Sequence, residues 1–274
     1  MLVNLGRARS RRRDHGRTGR AVSATGVYPT AVRSPRCAAR PGLAGSAPDE
    51  EYHVVQRIGF VGGTGPLGKG LAARWARAGI VTAIGSRRPE RGQQAAADIA
   101  ALAGPAAAEV SGGSNLEVVA GADVVLITVP FDGLDEALAP LADQLTDRIV
   151  VSAVNPLAFD AAGPYPVPVA EGSAAAAVAA RLPGARVVGA FHSLSARTLA
   201  RVEQPMDDDV PVVGDDEQAV EVVLELAARL EGVRPLLAGP LRLAGPVEDL
   251  TTVLLALNKR YRAHAGVRFS GIDP

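Results

Sequence analysis

A chain of 274 residues that is 47% hydrophobic but only 4% aromatic can bury a sizeable core, and that core must be aliphatic. Its formal net charge of zero hides a division: residues 1–50 carry ten Arg against Asp14, Asp49 and Glu50, a net of +7, while the remainder nets −7 with 19 basic and 26 acidic side chains. A single cysteine, Cys37, leaves an internal disulfide without a partner and excludes a Cys-rich zinc cluster, and no run reaches the roughly 18–20 apolar residues of a membrane span, so a cytoplasmic protein without a metal or a membrane is expected.

In chain order, residues 1–53 hold Arg11-Arg12-Arg13 among scattered Gly, Ser and Pro, with no helical or alternating apolar period. Such a segment cannot bury enough surface to offset its ordering entropy, and a disordered Arg-rich tail is expected. It could be an organellar transit peptide, a nucleic-acid-binding arm, or a stretch without function upstream of the true start; the last is the simplest, and no nucleic-acid partner is expected.

From Arg57 onward short apolar runs alternate with Ala/Leu/Arg/Glu stretches, the pattern of βαβ units. Strands are expected at 57–62, 81–86, 123–130, 148–154, 186–192 and 210–213, most of them continuous Val/Ile/Leu runs that suit a sheet covered on both faces. Helices are expected at 67–78, 89–102, 134–145, 173–182 and 217–230, with Pro89 in a first turn and Gly79 and Gly104 as C-terminal caps. Residues 155–172 carry four prolines and no helical period, a long loop of the kind that often borders an active site. A short strand near 234–238 and a helix near 247–261 follow. The fold class predicted is α/β: a Rossmann-type doubly wound parallel sheet at 54–208, with a small C-terminal helical unit at 209–274 for substrate binding or dimerisation.

The segment Ile58-Gly59-Phe60-Val61-Gly62-Gly63-Thr64-Gly65-Pro66-Leu67-Gly68 sets a Gly-x-Gly-x-x-Gly pattern, Gly63, Gly65 and Gly68, between the first strand and the first helix. In that context the first glycine permits the turn, the second lets a pyrophosphate approach the backbone and the third lets helix pack on strand. The second strand ends in Ile84-Gly85-Ser86-Arg87-Arg88, without the carboxylate that would accept a ribose 2′-hydroxyl. Ser86, Arg87 and Arg88, with Arg91, supply donors and positive charge for a 2′-phosphate, which favours NADP over NAD. Val129, before Pro130, falls beside the crevice or simply closes a strand. Asn155 could meet ribose or nicotinamide, or start the Asn-Pro turn. His192 could bond a substrate carbonyl or shuttle a proton, or be a satisfied structural histidine. His15, His53 and His264 lie in the tail or near the chain end and receive no role.

Five motifs together resemble the NADPH-dependent coenzyme F420 reductases: Gly62-Gly63-Thr64-Gly65 continuing as Leu67-Gly68-Lys69-Gly70-Leu71-Ala72, Gly85-Ser86-Arg87-Arg88, Phe191-His192-Ser193-Leu194-Ser195-Ala196, Val210-Pro211-Val212-Val213-Gly214-Asp215-Asp216, and the Arg234-Pro235-Leu236 to Leu241 stretch. The resemblance runs from about Arg57 to the C-terminal helix. It implies a homodimeric oxidoreductase that moves a hydride between NADP(H) and the deazaflavin ring of F420. It also implies that Thr64, Gly65, Pro66 and Leu67 meet the pyrophosphate, Ser86, Arg87 and Arg91 the 2′-phosphate, and Val129, Asn155 and Ala196 the rest of NADP, with His192, Leu194 and Thr251 bordering the deazaflavin. Asp249 stands where family members carry a small hydroxyl residue. The alternatives are a reductase of another small acceptor, such as an imine, a flavin or a metal chelate, and an NADP-binding module without turnover.

Overall fold

A computed structural model describes residues 55–272; the expected Arg-rich tail lies outside them. β1 (Arg57–Val61), α1 (Pro66–Arg77), β2 (Val81–Ser86), α2 (Pro89–Ala103), β3 (Val110–Ser114), α3 (Asn115–Ala120) and β4 (Val124–Ile127) form the first half. After α4 (Leu134–Leu138) and β5 (Ile149–Ser152) comes a hairpin of β6 (Leu157–Phe159) and β7 (Pro164–Pro166). The chain continues through α5 (Ala174–Arg181), β8 (Arg186–Gly189), α6 (Ala196–Leu199), β9 (Asp208–Gly214), α7 (Glu217–Ala228), β10 (Val233–Gly239) and α8 (Ala244–Tyr261).

Eight strands lie side by side in the order β10-β9-β8-β5-β4-β1-β2-β3. Every neighbouring pair is parallel except β8 and β9, which run antiparallel and meet at only two positions, Val188–Gly214 and Gly189–Val213. Pro211, which has no N–H to give, lies outside those two positions on β9. This is the doubly wound α/β architecture expected. Its core is in two layers. On one face Leu71 and Trp75 of α1, Ile99 of α2 and Val223 of α7 cover Ile58, Phe60, Ile84 and Leu126. On the other, Val118 of α3, Leu134 of α4 and Val178 of α5 cover Val61, Val125, Ile127 and Val150. Burial of each such side chain contributes about 1.5–3 kcal/mol. Trp75 anchors the first layer, edge-on to Phe191 with ring centroids 5.3 Å apart and donating its indole N–H to the Leu226 carbonyl at 2.9 Å.

Several local details depart from the sequence pattern. The helix expected at 134–145 is α-helical only to Leu138 and then tightens to a 3₁₀ segment, Ala139–Leu145, because Pro140 cannot donate to a carbonyl four residues back. β3 carries no apolar signature, and α3, Asn-Leu-Glu-Val-Val-Ala, is too short to show a helical period. β3 reads Val-Ser-Gly-Gly-Ser, and a Cβ at Gly112 would strike the Gly92 carbonyl of α2, so backbone packs on backbone there. α3 opens with a capping box in which the Ser114 hydroxyl accepts from the Glu117 N–H and Glu117 accepts from the Ser114 N–H. Within the Pro-rich stretch 155–172, Leu157 to Pro166 form a hairpin, closed by Asp160, whose carboxylate accepts from the Ala162 and Gly163 amides, and by Gly163 at φ 134°. Pro89 opens α2 and Gly104 caps it at φ 91°, as expected.

Candidate functional site

β1 and β4 are neighbours, yet α1 leaves β1 for one face of the sheet and α4 leaves β4 for the other. Strand direction out of the sheet therefore splits between them, and a crevice opens at their C-terminal ends. The turn after β1 is shaped by glycines with separate duties. Gly62 takes φ 75°, and a Cβ there would strike Val129, so the positive dihedral falls one residue before the glycine expected to carry the turn. A Cβ on Gly68 would lie 2.7 Å from the Gly63 carbonyl oxygen, which is the close packing of helix on turn. Gly65 faces open space, with nothing within 4 Å of where a Cβ would stand. As the N-cap of α1 it offers no side chain to the first helical N–H groups, and Pro66 follows at the first helical position. The turn is thus a bare cradle of backbone donors that an anion can enter. Asn115 completes it, its Oδ1 accepting from the Gly62 N–H at 3.3 Å.

The end of β2 supplies the next wall. Ser86 is buried, with its hydroxyl accepting from the Arg88 N–H at 3.3 Å. Arg87, Arg88 and Arg91 are exposed, and Arg87 pairs with Glu136 at 2.7 Å. Both partners of that pair are about two-thirds exposed, so the pair is weak and an incoming phosphate can displace Glu136.

At the ends of β5 and β8 a cavity of about 590 Å³ is lined by Leu67, Asn155, His192, Leu194, Ala196 and Thr251 among others. Six of the sequence-derived residues thus meet in one space, whereas Thr64, Pro66, Ser86, Arg87, Arg91 and Val129 sit around the turns after β1, β2 and β4 and do not line it. Asn155 donates its amide N–H to the His192 carbonyl at 3.1 Å, and the single Thr251 hydroxyl hydrogen is shared between that carbonyl at 2.9 Å and Asn155 Oδ1 at 3.2 Å. α8 is bound to the sheet by this triangle. Phe191, at φ 68°, turns the chain sharply after β8 into it; a bulky residue held there is strained and must be over-determined by its surroundings, here the contact with Trp75.

His192 shows the cavity its main chain, because its imidazole is wholly enclosed. Neither ring nitrogen has a hydrogen-bond partner among the described residues, and Nε2 lies 3.9 Å from Glu248 Oε1, beyond hydrogen-bond reach. Burial holds the imidazole neutral, with its pKa lowered to about 4. Glu248 is equally buried and accepts from the Ala174 and Ala175 N–H groups at 2.7 and 2.9 Å, at the start of α5. Burial raises its pKa to about 7, with Asp249 adding to the rise and the two amide bonds opposing it. Asp249 is exposed beside a smaller cavity, of about 200 Å³, between α8 and the hairpin.

Two contributors were not legible in the sequence. Arg74, in the middle of α1, is buried and donates to the carbonyls of Leu199, Thr198, Arg201 and Gln204, which fixes the turn after α6 and with it Ala196. The segment after α8 returns over the site, so that Arg262, Ala263, His264 and Ala265 form one wall of the large cavity. Among the described residues no group of His, Cys, Asp and Glu is arranged to hold a metal ion, and no helix is long and apolar enough to cross a membrane.

Comparison with known proteins places this geometry in a family. Residues 57–156 match the family described as "NADP oxidoreductase coenzyme F420-dependent". The F420-dependent NADP reductase of Methanothermobacter thermautotrophicus is 38% identical over 224 residues, covering 80% of this chain and 97% of that protein. Its counterpart in Methanocaldococcus jannaschii is 32% identical, covering 79% and 99%. A crystal structure from Arthrobacter sp. FB24 covers 77% of this chain and 96% of its own with a TM-score of 0.63 at 24% identity, which shows the shared fold. The similarity to these two proteins extends over nearly their whole length, and on that ground the chain belongs to the F420-dependent NADP reductase family.

Proposed function

We propose that this protein is an NADP-dependent oxidoreductase that transfers a hydride between NADP(H) and the deazaflavin coenzyme F420. The observation that carries the reading is the 38% identity to a relative named for that activity, over 97% of that relative's length.

The residues present suit the two substrates. The turn at Thr64, Gly65, Pro66 and Leu67 has unclaimed backbone donors and open space before Gly65 for a pyrophosphate. Ser86, Arg87 and Arg91 suit the 2′-phosphate, with Arg87 exchanging Glu136 for it. Val129, against the Gly62 turn, and Asn155 and Ala196, along the cavity, continue the cofactor path toward the second substrate. NADP(H) and F420 supply the hydride chemistry themselves. What the chain contributes is position: Leu67, Leu194 and Leu254 offer apolar surface to two stacked rings and keep water from between them, while the Asn155–His192–Thr251 triangle fixes the polar wall. His192 serves through its carbonyl and the chain direction it sets, and Thr251 through its hydroxyl.

The unit 209–274 furnishes the second-substrate side. A homodimer joined through the outer side of α8, acting in the reducing cytoplasm, completes the reading. Absorbance of the deazaflavin band tests it. Purified protein should bleach F420 with NADPH and far more weakly with NADH. Arg87→Ala should raise KM for NADPH about 10- to 100-fold, the worth of one charge-assisted bond, and leave NADH nearly unaffected. NADPH binding without bleaching would reject F420 as the acceptor.

A further inference from the structure

The large cavity has a charge that the rest of the molecule lacks. Residues beyond position 50 net −7, yet no carboxylate is among the residues that line the cavity, whereas Arg197 and Arg262 are. Several other arginines are paired with carboxylates: Arg87 with Glu136, Arg181 with Asp135 and Glu171, Arg234 with Asp209. Arg197 and Arg262 are exposed and form no side-chain hydrogen bond or ion pair with any described residue. A cavity with low-dielectric walls and two uncompensated guanidinium groups on its solvent side concentrates anions.

The side that carries these charges is built, not a loose end. Arg262 caps α8 in the left-handed region at φ 52°, its N–H donating to the Asn258 carbonyl, and the Asn258 side chain accepts from the Ala265 N–H at 2.6 Å. Farther on, the Asp209 N–H donates to the Val267 carbonyl, and the buried Asp209 carboxylate accepts from Arg234, Arg268 and the Phe269 N–H. The returning segment is thereby clamped against β9. On the opposite side Arg197 lies in α6, whose turn is held by Arg74. Apolar Leu67, Leu194 and Leu254 line the same space, so a ligand with an apolar ring and an anionic extension is matched by its two kinds of wall.

We infer that Arg197 and Arg262 form a subsite for the anionic side arm of the second substrate, recognising its phosphate and carboxylate groups while the ring lies inward. This rests on the F420 reading, since that coenzyme carries a phosphodiester and glutamate carboxylates beyond its ring; the other source of phosphate is NADP(H) itself. The arginines thus set specificity and take no part in hydride transfer.

Steady-state kinetics with saturating NADPH separate the cases, using F420 and the same deazaflavin bearing only its ribityl chain. The unaltered protein should show KM at least ten-fold lower for F420, a preference that shrinks with added salt. In the double variant Arg197→Gln, Arg262→Asn, the KM ratio should fall to about one and lose its salt dependence; Asn is chosen because it tolerates the left-handed cap. Arg197→Lys should keep most of the preference. Equal KM values for both acceptors in the unaltered protein, or a ratio that survives in the double variant, would overturn the subsite. A rise confined to KM for NADPH would reassign the arginines to the cofactor. Reduction of neither deazaflavin would reject the F420 reading itself, and the subsite with it.

Discussion

Glu248 and His192 are an acid and a base buried together 56 residues apart in the chain, and their titrations oppose one another. In the unfolded chain they ionise near 4.5 and 6.5; folding moves them to about 7 and about 4, in both cases because burial disfavours the charged form. Between pH 4.5 and 7 the folded state holds more protons at Glu248 than the unfolded state does, so this group's contribution to stability is lost as pH rises through that window. Between pH 4 and 6.5 the unfolded state holds more at His192, so that contribution is gained as pH rises. Each amounts to about 3 kcal/mol, and they largely offset between pH 4.5 and 6.5. Glu248→Gln removes one of them. In urea unfolding, the stability of the variant relative to the unaltered protein should climb by about 3 kcal/mol from pH 4.5 to 7; a difference independent of pH would mean that Glu248 is ionised throughout.

The contact between α2 and β3 belongs to a different scale, because it involves no side chains at all. Gly92 and Gly112 face one another so closely that a Cβ on either would meet the other element's backbone. Such a contact cannot relax by rotamer change, only by parting the helix from the strand. Gly112→Ala should therefore cost about 2 kcal/mol, as overpacking does. Thermal denaturation would register this as a loss of roughly 4–8 °C in Tm. Because β3 pairs with β2 from Thr82 to Ser86, the same variant should weaken NADPH binding through Ser86; an unchanged Tm would show that the two elements slide freely.

At the scale of the whole molecule, the outer side of α8 leaves Val253, Leu257 and Tyr261 exposed at intervals of four residues, a continuous apolar stripe on a helix whose inner side lines the cavity. Leu237 and Leu243 are exposed on neighbouring elements. Apolar surface in a stripe is what a self-complementary dimer buries. Sedimentation should find a dimer for the unaltered chain and a monomer for Leu257→Arg, since an unpaired charge in a dry interface is costly. A monomer in both cases would exclude α8 as the joining surface.

The sequence by itself determined the alternation of strand and helix, the glycine turn after β1 and the absence of a carboxylate after β2, where Ser86, Arg87 and Arg88 stand. These are local matters: apolar runs, turn glycines and a missing carboxylate are visible within a dozen residues. Even so, periodicity failed where backbone replaced side chains, at β3, and where a proline-rich stretch folded back on itself between Leu157 and Pro166. The capping box Ser114-x-x-Glu117 was a readable signal for α3 that apolar period alone passed over. Only the tertiary structure brought Asn115 to the Gly62 amide, Glu248 to the start of α5, and Arg262 and His264 to the cavity wall. Each of those meetings joins elements far apart in the chain, and their polar groups find one another because the sheet fixes where the elements lie, which no local pattern encodes.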